Sequence, residues 1–213
     1  YGMVSGAFLS LAGIALTVAR IRPTLEMVKP LFETVPEVSS GKQVITGISG
    51  GIELNHISFR YNENMPLVLV NLTVERGAFL VLCGPSGCGK STLMRLLLGF
   101  EKPMKGAVYY DGKDLDKIDL KSLRQKIGVV MQNGKLFQGD IYSNIVISAP
   151  WLTQKDAWEA AELAGIAEDI RKMPMGMNTM ISEGSGGISG GQKQRLMIAR
   201  AIAQKPRLLM LDE

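Results

Sequence analysis

The sequence predicts an α/β fold built around a parallel sheet, and three observations predict it. Short apolar runs at Phe79–Cys83, Ile127–Met131 and Leu208–Leu211 have the length of strands buried on both faces. Helically spaced apolar stretches lie between and around them, at Thr92–Leu98, Thr153–Ala164 and Ile188–Ala203. A glycine-rich run, Gly84-Pro85-Ser86-Gly87-Cys88-Gly89-Lys90-Ser91, joins the Phe79–Cys83 run to the helix that opens at Thr92. With 213 residues, 46% of them hydrophobic and 21% charged, the chain suffices for one large α/β domain and an appendage.

The glycine-rich run fits G-x-x-x-x-G-K-[ST] in a strand–loop–helix setting, which is the setting a phosphate-binding loop requires. Glycines let backbone N–H groups curl around phosphate oxygens with no Cβ in the way. The following helix adds unpaired N–H donors and a partial positive charge. Lys90 is expected to reach the β- and γ-phosphates of ATP, and Ser91 to hold Mg²⁺. Thr92 completes the first helical turn beside them.

In chain order, Tyr1–Ala19 contains no charged residue. As a helix it covers about 28 Å, near the thickness of a bilayer core. Gly2, Ser5, Gly6, Ser10 and Gly13 suit a helix packed on other membrane helices. Arg20, Arg22 and Lys29 place its C-terminal side in the cytosol. We therefore expect residues 1–22 to be the end of a transmembrane helix and residues 23–51 a cytosolic helical extension and linker. Pro23 and Pro30 are expected to kink or break the extension, and Gly47, Gly50 and Gly51 mark the boundary of the following domain, 52–213.

Ile52–Tyr61 reads as a strand whose apolar phase switches, implying a bulge near His56. Tyr61 at its end is an aromatic able to stack on a purine. Val68–Glu75 alternates as a second strand, Ala107–Tyr110 is a short third, and Asp111-Gly112 is a turn. Gln132 follows the Ile127–Met131 run, at the sheet edge where ligands bind in such folds; its amide suits Mg²⁺ and an attacking water. Residues 133 to about 190 carry helical spacing and no strand signal, so they form a small helical lobe. Ser189 is a fitting N-cap for a helix whose opening, Ser189-Gly190-Gly191-Gln192, offers exposed backbone N–H groups, a second anion site. Leu208–Leu211 delivers Asp212 to the same sheet edge, where it suits Mg²⁺. Glu213 follows, placed to polarise a water.

Composition excludes some classes. A net charge of +4 without a basic tract gives no nucleic-acid signature. The two cysteines, Cys83 and Cys88, sit in or beside the phosphate loop and fit a reducing cytosol. His56, the only histidine, is on a strand and is not read as a catalytic base.

Together these motifs resemble the ATP-binding domain of ATP-binding-cassette (ABC) transporters over residues 52–213. Gly84–Ser91 matches the Walker A motif, Tyr61 the adenine-stacking aromatic, and Gln132 the Q-loop. Ile188-Ser189-Gly190-Gly191-Gln192 matches the signature motif, with Ile in place of Leu. Leu208–Asp212 matches Walker B, and Glu213 its catalytic glutamate. The resemblance implies a P-loop NTPase sheet core with an N-terminal antiparallel β subdomain and a small α-helical subdomain, preceded by a helical segment. It implies ATP and Mg²⁺ as ligands, with Glu213, Lys90 and Gln132 catalytic and Ser91, Gln132 and Asp212 around the metal.

The implied partners are a second ATP-binding domain in a head-to-tail dimer, a fused membrane-spanning domain, the lipid membrane, and an exported substrate. The implied location is the cell membrane, cytoplasmic side. More loosely, Asp156-Ala157-Trp158-Glu159 and Met173-Pro174-Met175-Gly176-Met177 resemble the bacteriocin- and peptide-exporting branch. The family places a D-loop and a switch histidine after the glutamate, so a domain cut at Glu213 is expected to bind ATP with slow turnover or none. A soluble ABC-type ATPase and an importer's ATPase subunit remain the alternatives.

Overall fold

The computed structural model describes residues 2–34, 41–63, 68–181 and 187–212. It divides into two compact units, residues 1–39 and 40–213. The first is a single helix, α1 (Gly2–Glu33), with no buried residue. It is long and apolar enough to cross a membrane, with a mean hydropathy of 1.8 over its best 18-residue window.

The hydroxyls of Ser10, Thr17 and Thr24 donate to the carbonyls four residues back, so none of the three needs solvent. The helix runs through Pro23 and Pro30, where the sequence predicted a kink or a break. The two prolines are seven residues apart, close to two turns, so both missing N–H groups fall on one side and the opposite ladder stays continuous. Beyond the apolar stretch, Arg22–Glu26 and Lys29–Glu33 form ion pairs along the exposed surface.

The second unit opens on an antiparallel sheet. Strands β1 (Ile52–Phe59) and β2 (Val68–Val74) pair with each other, and β1 also pairs with β3 (Lys105–Tyr110). A two-residue strand, β4 (Lys113–Asp114), completes the order β2-β1-β3-β4. Both ladders of β1 shift register around Asn55 and His56, the bulge that the phase switch predicted, and His56 takes a positive φ there. Helix α2 (Lys90–Leu97) lies between β2 and β3 in the chain and buries Leu93, Met94, Leu96 and Leu97 in the core of this sheet. The buried Tyr110 hydroxyl donates to the Leu97 carbonyl at 2.8 Å, tying β3 to the end of α2, and burial pushes its phenol well above the ordinary range.

The sheet core continues through α3 (Leu120–Arg124) into β5 (Ile127–Val130). A helical lobe follows, with the short pair β6 (Gly139–Asp140) and β7 (Met180–Ile181), and helices α4 (Ile141–Val146), α5 (Gln154–Leu163) and α6 (Ala167–Lys172). The β6–β7 ladder lies in a region the sequence marked as purely helical. It is two residues long on each side, too short for a period-2 signal. Helix α7 (Gly190–Ile202) closes the lobe through Leu196, Ala199 and Ala203, and β8 (Leu208–Leu211) then pairs parallel with β5. A Cβ on Gly128 would strike the Ala201 carbonyl, so this glycine lets the end of α7 lie on β5.

One predicted strand differs. Residues 79–83 carry no ladder, Phe79, Leu80, Val81 and Leu82 are exposed, and Cys83 is exposed rather than buried. They line an apolar cavity of about 600 Å³ together with residues of β1, β2, α2 and β8. An apolar run becomes a buried strand only where neighbouring strands take up its N–H and C=O groups. Here β8 pairs with β5 and leaves this run unpaired among the described residues.

The glycine-rich segment before β1 is not a free linker. Gln43 bridges to Ile118, with Gln43 N–H donating to Lys117 O and Asp119 N–H to Gln43 O. Ile45 and Ile48 are buried, and the Ile45 N–H donates to the Ser122 hydroxyl at 3.0 Å. The Asp111 carboxylate accepts from Ser49 N–H at 2.6 Å, the Ser49 hydroxyl at 2.7 Å and Gly51 N–H at 3.0 Å. The unit boundary therefore falls near residue 40, ahead of these glycines.

Partial burial of Asp111 acts to raise its pKa, but the Ser49, Gly50 and Gly51 donors outweigh it and hold the carboxyl below its ordinary value. A depressed carboxylate contributes stability above its unfolded value, 3.8, and loses it as pH falls through the lower folded value. Asp111→Asn keeps the turn geometry and removes the charge. We expect it to cost about 1 kcal/mol at pH 7 and to flatten the acid limb below pH ~4, read by urea unfolding across pH.

Candidate nucleotide-binding site

The loop from Gly84 to Gly89 opens through two residues in the left-handed region, Gly87 at φ 82° and Gly89 at φ 99°. A Cβ is strained in both, so the loop requires glycine there. Gly89 is also the N-cap of α2, whose buried face anchors Lys90 and Ser91 against the first core. The Lys90 ammonium bends back over the loop and donates to Gly84 O at 2.8 Å and Pro85 O at 3.2 Å, with Cys88 Sγ at 3.8 Å.

A cavity of about 410 Å³ opens over this loop. It is lined by Gly84, Ser86, Gly87, Gly89, Lys90, Ser91, Thr92, Gln132 and Asp212. The last two come from neighbouring parallel strands. Val130 pairs with Leu211, and Asp212 N–H donates to Val130 O at 2.8 Å, so Gln132 and Asp212 leave the sheet side by side. One ammonium, one carboxylate, one carboxamide and three hydroxyls thus share a crevice with the N-terminus of an eight-residue helix. That is an arrangement for an anion accompanied by a hard cation. All the candidate metal donors are oxygens, few enough to suit Mg²⁺, which keeps several waters and takes further oxygens from phosphate.

The other predicted residues lie elsewhere. Pro85 and Cys88 shape the loop, with Cys88 N–H donating to Pro85 O, but do not line the cavity. Tyr61 lies just past β1, half exposed, with its ring edge-on to Phe59 at 4.9 Å. Ser189 caps α7 in a reciprocal box. Its hydroxyl accepts from Gln192 N–H, and the Gln192 side chain accepts from Ser189 N–H. Ser189, Gly190 and Gly191 are exposed and do not line the cavity of their own chain. Glu213 lies outside the described residues.

Sequence reasoning missed how the Gln132 loop is held. Arg200 on α7 donates from Nε to Asn144 O at 2.8 Å, from one terminal nitrogen to Lys135 O at 3.0 Å and from the other to Asn144 Oδ1 at 2.9 Å. It also lies over the Phe137 ring at 5.1 Å. Asn144, almost fully buried, exchanges hydrogen bonds with Phe137 N–H and C=O and donates to Asp140 O. Burial pushes the Arg200 pKa down. The available signal was a lone cation inside the apolar run Met197-Ile198-Ala199-Arg200-Ala201-Ile202.

The fold and this crevice define a P-loop nucleotide-binding domain. A family model described as ABC transporter matches residues 67–213, and the chain belongs to that family. It is 40% identical over 185 residues to the alpha-hemolysin translocation ATP-binding protein HlyB of Escherichia coli O157:H7, covering 86% of this chain and 26% of that one. It is 42% identical over 175 residues to the exotoxin translocation ATP-binding protein PaxB of Pasteurella aerogenes, covering 81% and 25%. The solved structure of a bacterial Atm1-family ABC exporter with ATP bound superposes with a TM-score of 0.76 at 31% identity, over 91% of this chain and 34% of that one. The chain thus spans about a quarter of the curated relatives and a third of that solved chain.

Ser189→Ala removes one half of the capping box. We expect a loss of about 1 kcal/mol. Hydrogen exchange should quicken at the Gln192 and Lys193 amides first, with the Leu196–Ile202 amides unchanged.

Proposed function

We propose that the chain is the ATP-binding and ATP-hydrolysing part of an ABC exporter, and that it couples hydrolysis to movement of a peptide or protein cargo across a membrane. The observation that carries this reading is the single crevice shared by Lys90, Ser91, Gln132 and Asp212. Loop N–H groups and Lys90 bind the triphosphate, and Lys90 stabilises charge on the β- and γ-oxygens. Ser91, Gln132 and Asp212 are the residues that would hold Mg²⁺, which would supply neutralisation of phosphate charge. Glu213 accepts a proton from the water that attacks the γ-phosphorus, as the bond to the ADP oxygen breaks in line. Tyr61 stacks on the adenine.

Support for export comes from α1 and from the relatives. The apolar length of α1 fits a membrane span, and the printed names of HlyB and PaxB are those of toxin translocation proteins. The exposed Ser189–Gln192 turn supports a head-to-tail pair, each turn meeting nucleotide held by the other copy. On this reading the ATP-binding domain is on the cytoplasmic side of the cell membrane, attached to a membrane-spanning domain.

ATP binding to the 213-residue chain, measured by calorimetry, should weaken about 10- to 100-fold in Lys90→Met, the cost of one charge-assisted contact. Asp212→Asn should leave metal-free ATP binding within about twofold, a few tenths of a kcal/mol, and should remove the gain on adding Mg²⁺. Equal ATP affinity in the parent and Lys90→Met would sink the reading.

A further inference from the structure

Gln132 begins a loop whose course is set by α7 and not by the phosphate loop. Two residues on, Gly134 sits so close to α7 that a Cβ there would lie 2.5 Å from Met197 Sδ and 3.1 Å from Met131 O. Gly134 N–H donates back to Met131 O at 3.0 Å, closing a turn around Gln132. One helical step further along the same face of α7, Arg200 takes the carbonyls of Lys135 and Asn144 and covers Phe137. The loop from Met131 to Phe137 therefore rests on Met197 and is pinned by Arg200. Met197 lies eight residues from Ser189, about 12 Å along the same helix.

We propose that Arg200 is a positioning residue for Gln132, so that α7 carries the Gln132 loop and joins it mechanically to the Ser189–Gln192 turn of the same chain. The inference deepens the nucleotide reading given above and rests on it. A guanidinium suits this task because one planar fork holds three acceptors at once, one on the loop at Lys135 and two on Asn144 of α4, and so ties the loop to that helix. A lysine reaches one of them.

The test uses the full 213-residue chain with two readouts. Hydrogen exchange at the amides of 133–137, without nucleotide, reads the clamp. The ratio of ATP affinity with and without Mg²⁺ reads Gln132. In Arg200→Met, exchange at 133–137 should rise about 10-fold or more. Metal-free ATP affinity should stay within about twofold of the parent, and the Mg²⁺ gain should fall to the level of Gln132→Ala. The double variant should lose nothing further, and Arg200→Lys should recover part of the gain.

Gly134→Ala provides a second route that leaves Arg200 in place. It should lose the Mg²⁺ gain by lifting the loop off Met197, and Met197→Ala in that background should restore it. Unchanged exchange in both Arg200→Met and Gly134→Ala would overturn the proposal, as would losses from Gln132→Ala and Arg200→Met that simply add. If ATP binds but Gln132→Ala keeps the full Mg²⁺ gain, this proposal alone falls. If the unsubstituted chain binds no ATP, the nucleotide reading falls and takes this proposal with it.

Discussion

Backbone conformation at two glycines governs the site. With Gly87 and Gly89 in the left-handed region, the loop curls along one side of the crevice and brings Lys90 to its lining. An L-residue at either position would be strained whatever room it had. The rest of the unit fixes that loop in space. Helix α2 anchors the downstream end by burying four residues in the first core. The β5–β8 pair brings a carboxamide and a carboxylate to the opposite rim. Neither rim suffices alone, because the loop supplies donors for an anion and the strand ends supply oxygen ligands for its counter-ion.

Much of this was legible because the responsible signals are local. The G-x-x-x-x-G-K-S spacing needs no tertiary context, and neither does Ser189 as an N-cap, to which the structure adds the reciprocal bond with Gln192. The phase switch in Ile52–Tyr61 placed the bulge correctly, since one extra residue must change which face an apolar side chain meets. What failed was non-local. The apolar composition of residues 79–83 specifies a strand only if neighbours pair with it, and composition cannot report pairing. The glycines at 47, 50 and 51 read as a linker because nothing nearby shows that Asp111, some 60 residues on, collects the N–H groups of Ser49 and Gly51. The prolines of α1 marked a kink or a break by propensity, and the helix runs through both without breaking.

The two cores divide the work. The first holds the antiparallel sheet and α2, and so the phosphate loop; the second holds the helical lobe and most of α7. Gln132 belongs by sequence to the end of β5, yet its loop is held by a helix whose apolar face belongs to the second core. On the positioning role proposed for Arg200, a side chain supported that way reports the position of the lobe to the crevice. Asp212 does not, because its backbone is hydrogen-bonded to β5 one residue beyond the ladder. The carboxamide and the carboxylate that line one crevice therefore rest on different parts of the molecule.

The placement of Ser189–Gln192 argues for a second copy. The cap takes up the Ser189 and Gln192 N–H groups, while Gly190 and Gly191 are exposed and carry no side chain to cover their own, as suits an anion-binding helix start. Yet none of these four residues lines the cavity over the phosphate loop of the same chain. A helix start built for an anion, set away from its own chain's anion crevice, makes physical sense if the anion it meets is held by another molecule. On the function proposed above, the triphosphate is gripped at the loop and at the strand ends of one chain, with its outer side left to solvent. A donor turn brought from a second copy would cover that side, and a closed-symmetry pair would complete both sites with the same surface. On the proposed pairing, that geometry accounts for a second glycine-rich helix start in a chain whose phosphate loop lies elsewhere.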